Sequence, residues 1–173
     1  MKHIILTGFM GAGKTTAGKL LSRKLGYVFF DTDQLIEKQA GMSVSRIFET
    51  MGEEKFRSFE TEILKGAWTK EENWVLSVGG GLPMKEENRK LLREIGTVVY
   101  LRVQADTVIK RLKGDTSRPL LQGDNVKERV DALLEYRGMK YEDGADFVVD
   151  VDGKTPQMVA EDIIKSWNMS MGL

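Results

Sequence analysis

The chain has 173 residues, with 26 Lys and Arg against 26 Asp and Glu, so it lacks the basic excess that general nucleic-acid or membrane-surface binding needs. Its length suits one domain, and 41% hydrophobic with 30% charged residues suits an ordinary water-soluble globular protein rather than a disordered chain. The lack of Cys excludes disulfides, a thiol nucleophile and thiolate zinc sites, and fits a reducing, cytoplasmic setting. Met1 to Leu6 leads straight into a glycine-rich motif without the apolar core of a signal or transit peptide, and no apolar run approaches the ~18 residues of a membrane span.

Strand and helix patterns then alternate. His3 to Thr7 reads as a strand. Gly8-Phe9-Met10-Gly11-Ala12-Gly13-Lys14-Thr15 follows it and fits G-x-x-x-x-G-K-[ST], and Lys14 to Leu25 carries Ala17, Leu20, Leu21 and Leu25 on one helical stripe. Tyr27 to Phe30 predicts a second strand closed by Asp31-Thr32-Asp33, with helices over Thr32 to Ala40 and Ser43 to Met51. Glu53 to Ala67 spaces Phe56, Phe59, Ile63, Leu64 and Ala67 as a further helix, and Trp74 to Val78 is a strand ending in Gly79-Gly80-Gly81. Helices are expected over Lys85 to Ile95, Asp106 to Lys113, Val126 to Tyr141 and Thr155 to Trp167, and strands over Thr97 to Leu101 and Asp146 to Val151. Thr155 before Pro156 reads as a helix cap with proline in the first turn. The strands are nearly all apolar, as strands covered on both faces should be. The expectation is therefore a single α/β domain over residues 1–173, its parallel sheet flanked by helices and its ligands at the carboxyl ends of the strands.

The glycine-rich motif sits in the context that gives it meaning, between a strand and a helix. Its glycines let backbone N–H groups approach phosphate oxygens at the positive end of the helix. Lys14 supplies a cation to the β and γ phosphates, and the Thr15 hydroxyl is placed to ligate Mg²⁺. Asp31 and Asp33, two residues apart at a strand tip, are expected to point the same way, one holding the metal's shell and the other receiving an acceptor hydroxyl. A helix cap is an equally physical use of the same residues. The third strand closes on three glycines rather than on an acidic residue, which leaves Asp31 as the metal's carboxylate. Those glycines admit a ligand close to backbone, or else form a plain flexible connection.

Among the arginines, Arg57 has Glu53 four residues before it and Glu60 three after it, so taken singly it reads best as an exposed helix ion pair. Arg137, in the long helix, invites the same reading. Arg118 in the loop Gly114 to Asp124 fits a segment that closes over a triphosphate and excludes water, which favours transfer over hydrolysis. His3, the one histidine, lies on an interior strand and is not expected to act in catalysis, and Trp68, Trp74, Trp167 and the 9 Met read as packing.

Taken in order, Gly8 to Thr16, Asp31 to Asp33, Gly52 to Glu60, Gly79 to Gly81, Arg118 to Leu121, and Arg137 with Tyr141 give a chain that resembles shikimate kinase along nearly its whole length. The resemblance implies a P-loop NTPase fold of the nucleoside monophosphate kinase type, with a five-stranded parallel sheet. It implies transfer of the γ-phosphoryl group of ATP to the 3-hydroxyl of shikimate, in aromatic amino acid biosynthesis. It further implies that Gly11, Ala12, Gly13, Lys14, Thr15 and Thr16 hold ATP, that Thr15 and Asp31 serve Mg²⁺, and that Asp33 contacts the acceptor hydroxyls. Arg57 and Arg137 would clamp the shikimate carboxylate, Glu60 would brace Arg57, Phe48 and Phe56 would wall the ring, and Gly79, Gly80 and Gly81 would line the pocket. Arg118 would be the lid arginine, within a lid at about 112–124, and Arg111 and Lys154 would sit on the adenine side. The substrate-binding helices would span about 32–60.

The chain departs from the family pattern at Met139-Lys140, where Pro-Leu is usual, and at Lys154, where arginine is frequent. Expected partners are ATP and shikimate, with no nucleic acid or membrane, and a monomeric state suits a small lid-closing kinase. Two alternatives stand beside this reading: a kinase of the same fold for gluconate or a nucleoside monophosphate, and a nucleotide-binding regulatory module. The second lacks an N-K-x-D guanine motif, and Asp150-Val151-Asp152-Gly153 reads as a turn.

Overall fold

The computed structural model describes residues 3–66, 72–115, 121–170 and 172. Five parallel strands, β1 (Ile4–Thr7), β2 (Val28–Asp31), β3 (Trp74–Ser77), β4 (Thr97–Arg102) and β5 (Phe147–Asp150), form one sheet in the order β2-β3-β1-β4-β5. The first strand is thus central, with Ile5 level with Leu76 on one side and Val98 on the other. All five carboxyl ends lie along one edge, and the loops leaving that edge carry the chemistry.

Helices α1 (Lys14–Leu25), α2 (Thr32–Ala40), α3 (Val44–Lys65), α4 (Glu86–Ile95), α5 (Ala105–Arg111), α6 (Val126–Gly144) and α7 (Pro156–Ser170) cover the sheet. Alternation along the strands sorts two cores. Ile4, Leu6, Val75 and Val99 pack with Leu21, Ile163 and Trp167. Ile5, Leu76 and Val98 face the other way, onto Leu64, Leu82 and Leu92. The expectation of doubly covered strands holds for β1 and β3, whose residues are all buried, but not for the two edge strands. In β2 and β5 most residues are only partly covered, because an outer strand has a neighbour on one side alone.

A third, separate cluster of Ile36, Ile47, Phe56 and Phe59 joins α2 to α3. The two helices expected on either side of Gly52 form one continuous element broken at that residue, whose φ of 82° and ψ of 170° suit glycine alone. The break turns the second half of α3, so that Phe56, Arg57 and Glu60 leave the helix toward the strand tips. Helix α7 starts as read, with the Thr155 hydroxyl accepting from the Met158 N–H. Trp74 and Trp167 are buried packing residues, whereas Trp68 lies outside the described residues.

His3 occupies the opposite end of the sheet from the strand tips, 7% exposed and stacked on Trp74 with ring centroids 3.8 Å apart. Its Nδ1 is buried without a hydrogen-bond partner among the described residues. Burial lowers its pKa from the model-peptide value of 6.5. The folded state therefore binds this proton less readily than the unfolded one, and stability should fall as pH drops below about 6.5. Denaturant melts at pH 7.5 and pH 5.5 test this: His3→Phe, which can keep the stack, should lose less stability on acidification than the wild type.

Candidate active site

The phosphate loop closes through the Ala12 N–H donating to the Phe9 carbonyl at 3.1 Å, with Gly11 and Gly13 at φ 77° and 87°. Lys14 folds back across it, its Nζ donating to the carbonyls of Gly8 at 2.7 Å and Phe9 at 3.0 Å. The Thr15 hydroxyl donates to Asp31 Oδ2 at 3.1 Å. The other oxygen of Asp31 caps α2, accepting from the N–H groups of Asp33 at 3.0 Å and Gln34 at 3.5 Å. One carboxylate thus caps α2 and contacts Thr15 at the same time, so the cap leaves its second oxygen facing the loop.

This arrangement corrects the expected geometry of the acidic pair. Asp31 ends the strand, but Thr32 already begins a helix, so Asp33 does not follow the two-residue repeat of a strand. It projects from the first turn of α2 instead. Both carboxylates still reach one chamber of about 250 Å³, which they line together with Lys14, Thr15, Thr16, Gly79 and Gly80. Thr15 and Asp31 offer one hydroxyl and one carboxylate, hard oxygen donors suited to Mg²⁺ that keeps waters and phosphate oxygens as its remaining ligands. No cluster of three or more acidic, His or Cys side chains able to hold a metal by itself occurs among the described residues.

Beyond that chamber, side chains of two helices pin the chain leaving β3. The Gly79 N–H donates to the Thr32 hydroxyl at 3.0 Å, and Tyr141 of α6 donates to the Gly80 carbonyl at 2.6 Å. A Cβ on Gly79 would lie 3.0 Å from Asp33 Oδ1 and 3.3 Å from Glu60 Oε1. One on Gly80 would meet the Tyr141 hydroxyl and Arg137, and one on Gly81 would lie 2.6 Å from Arg57 Nη2. Three bare backbone residues are therefore in touch with every charged side chain that the sequence assigned to the acceptor.

Arg57 combines both of its sequence readings. It is an ion pair, with Nη1 donating to both oxygens of Glu60 at 2.9 Å and with Glu53 at 3.1 Å from Nη2. It also adjoins the glycine strip, since the guanidinium rests against Gly81 while its partner Glu60 is 1% exposed. Burial pushes the Glu60 carboxyl up to about 7, against the opposing pull of Arg57. Burial alone would lower the Arg57 pKa, but its bonds to Glu60 and Glu53 outweigh that and raise it. Phe48 and Phe56 stand together with ring centroids 4.7 Å apart, and Phe48 remains 37% exposed. The Arg137 guanidinium lies 5.7 Å from the Phe9 ring centroid, and burial pushes its neighbour Tyr141 up to about 12, keeping that phenol a neutral donor. With Met139 and Lys140 in place, α6 runs unbroken through Tyr141 to Gly144.

A second cleft of about 360 Å³ opens on the far side of the loop, lined by Ala12, Gly13, Thr16, Arg111, Lys154 and Pro156. Arg111 is fixed there by donating to the carbonyls of Gly11 at 2.9 Å and Val151 at 3.4 Å. Lys154 pairs with Asp162 at 2.8 Å. Sequence reasoning missed Pro156 as a lining residue, since its position after Thr155 marked it only as a helix start. It also missed Thr32, whose hydroxyl anchors Gly79. Arg118 lies outside the described residues, which within the expected lid cover 112–115 and 121–124. A larger hollow, about 810 Å³, lies elsewhere, between α5 and α6; the cations Arg102 and Lys127 that line it are paired with surrounding carboxylates.

Comparison with known proteins places the chain in a family. A sequence model described as shikimate kinase matches residues 10–168. A shikimate kinase of Thermodesulfovibrio yellowstonii is 46% identical over 167 residues, 96% of this chain and 95% of the relative. The structure of shikimate kinase from Acinetobacter baumannii in complex with shikimate superposes with a TM-score of 0.87 at 35% identity, covering 96% of this chain and 92% of that one. The Aquifex aeolicus shikimate kinase structure gives 0.84 at 37% identity, covering 99% of each chain. With a phosphate loop on a P-loop kinase fold and a family model that spans residues 10–168, the chain belongs to the shikimate kinase family.

Proposed function

We propose that this enzyme transfers the γ-phosphoryl group of ATP to the 3-hydroxyl of shikimate, giving ADP and shikimate 3-phosphate. The observation that carries the reading is the strip Gly79 to Gly81, which borders the phosphate chamber at one end and the Arg57 guanidinium at the other. An acceptor laid along it has a hydroxyl near Asp33 and a carboxylate near arginine. That spacing suits a small ring bearing an acid and hydroxyls better than a nucleobase. Gluconate and nucleoside monophosphates serve as comparison acceptors.

In this reading the backbone of Gly11, Ala12 and Gly13, with Thr16, cradles the phosphates, and Lys14 follows the charge of the migrating group. Thr15 and Asp31 hold Mg²⁺, which when bound screens the phosphate oxygens from one another. Asp33 orients the acceptor hydroxyl and takes its proton as the new P–O bond forms and the bond to the ADP oxygen breaks. The loose character of phosphoryl transfer tolerates so weak a base. Arg57 and Arg137 bind the carboxylate, Phe48 and Phe56 wall the ring, and Glu60 holds Arg57 in place. Arg111, Lys154 and Pro156 bound the adenine cleft, and Arg118 approaches the phosphates from a lid at about 112–124. One domain acting as a monomer in the cytoplasm completes the proposal. The compartment is supported by a sequence without Cys, which suits reducing conditions.

ADP release from Mg-ATP is the direct test: it should appear with shikimate and not with gluconate, nucleoside monophosphates or water alone. Release without an acceptor would point to a hydrolase. Lys14→Ala should lower kcat/KM by about 10²-fold or more with an unchanged melting temperature, since a charge-stabilising group at the reacting phosphate is lost. Gly81→Ala should raise the KM for shikimate by roughly tenfold or more while the KM for ATP holds, because the added methyl group displaces Arg57, and ~1 Å of misplacement carries costs of that order. An unaltered KM for shikimate in Gly81→Ala would remove Arg57 from the acceptor pocket.

A further inference from the structure

Arg57 has five N–H groups, two on each terminal nitrogen and one on Nε, arranged so that Nε and Nη2 form one edge of the fork. In this structure Nη1 is taken by the two oxygens of Glu60. The Nε and Nη2 edge is taken by a single oxygen of Glu53, at 3.4 Å and 3.1 Å. The faces of the guanidinium offer little room. Gly81 lies so close that a Cβ there would sit 2.7 Å from Cζ, and the Phe56 ring centroid is 5.4 Å from Cζ. The two-nitrogen edge of Arg57 that Glu60 leaves untouched is therefore the Nε and Nη2 edge that Glu53 now holds, and a carboxylate can form a two-bond pair there.

The two glutamates differ in what they can do. Glu60 is 1% exposed and enclosed by the core, whereas Glu53 is 67% exposed. Glu53 also directly follows the Gly52 break, at the start of the second half of α3, where no Cβ at Gly52 would touch a neighbour. Nothing but the Arg57 contact ties its side chain among the described residues, so it can swing into solvent by rotation about its own bonds.

We infer that Glu53 is an internal stand-in for the substrate carboxylate: it occupies the binding edge of Arg57 and is displaced when the acceptor arrives, setting acceptor affinity and excluding ligands that cannot replace a carboxylate. The inference rests on the assignment of Arg57 to the acceptor carboxylate. Its sign is opposite to that of a brace. Removing a brace weakens binding, whereas removing a competitor strengthens it. The exchange also discriminates. An uncharged acceptor that displaced Glu53 would leave Arg57 with fewer anionic bonds than before, while a carboxylate restores them.

The test is Glu53→Gln in the full chain, with KM for shikimate and for ATP measured together and calorimetric titrations of shikimate and its methyl ester. The expected result is a KM for shikimate lowered about two- to fivefold, the range that an exposed ion pair of this kind supports, with the KM for ATP unmoved. Affinity for the methyl ester should be unchanged, including no measurable binding to either protein. A raised or unaltered KM for shikimate overturns the inference, making Glu53 a brace or a solvated surface charge. Equal gains for shikimate and the ester overturn it as well, since a general field effect would then suffice. Arg57→Ala separates the two levels: if it leaves the KM for shikimate intact, the assignment of Arg57 itself fails, whatever Glu53→Gln does.

Discussion

The organising constraint of this molecule is the crowding at the exit of its third strand. An added carbon would clash with Arg57 at Gly81 and crowd Asp33 and Glu60 at Gly79, and at Gly80 it would lie in contact with Tyr141 and Arg137. Side chains from α2, α3 and α6, far apart in sequence, converge there because the backbone leaves them room. The contacts that fix the strip come from equally distant places, the Thr32 hydroxyl on one side and the Tyr141 hydroxyl on the other. Backbone polar groups at a buried strand end need partners, and these two side chains supply them while leaving the open face to a ligand.

The acidic groups around the strip show how one residue type is put to different uses by its surroundings. Asp31 divides its oxygens between a helix cap and Thr15. Glu60 is enclosed and held near neutrality by burial, with Arg57 opposing that shift. Glu53 meets the same arginine from solvent, where an ion pair is worth only ~0–1 kcal/mol and is readily exchanged. A permanent partner and an exchangeable one on one guanidinium allow it to be rigidly placed and yet available.

Much of this was legible in the sequence where the signal is local. The phosphate loop reads directly because a strand, a glycine-rich turn and a helix start occupy adjacent residues, and the five strands and their order of occurrence follow from short apolar runs. Asp31 and Asp33 do line one chamber, but not by the expected geometry: the helix read from Thr32 already begins between them, so the two-residue repeat of a strand does not extend to Asp33. The ion pairing of Arg57 was visible from its neighbours at helical spacing and its place on the acceptor side was implied by the resemblance alone, while its contact with Gly81 was not visible, because that joins parts of the chain distant in sequence. Thr32 and Pro156 were overlooked for the same reason: each has an ordinary local role, and their further contacts join parts of the chain that no pattern links.

The acceptor side has its own small core. Ile36, Ile47, Phe56 and Phe59 pack between α2 and α3, apart from the two clusters that sandwich the sheet. The phosphate loop rests on the sheet, while Phe56, which we assign to the acceptor wall, belongs to this satellite cluster, beyond the break at Gly52. Such a division makes the two halves separately variable. Changes in the satellite can reshape which small molecule fits without disturbing the burial that keeps the nucleotide loop in form, so a scaffold of this kind can diversify in what it phosphorylates while preserving how it phosphorylates.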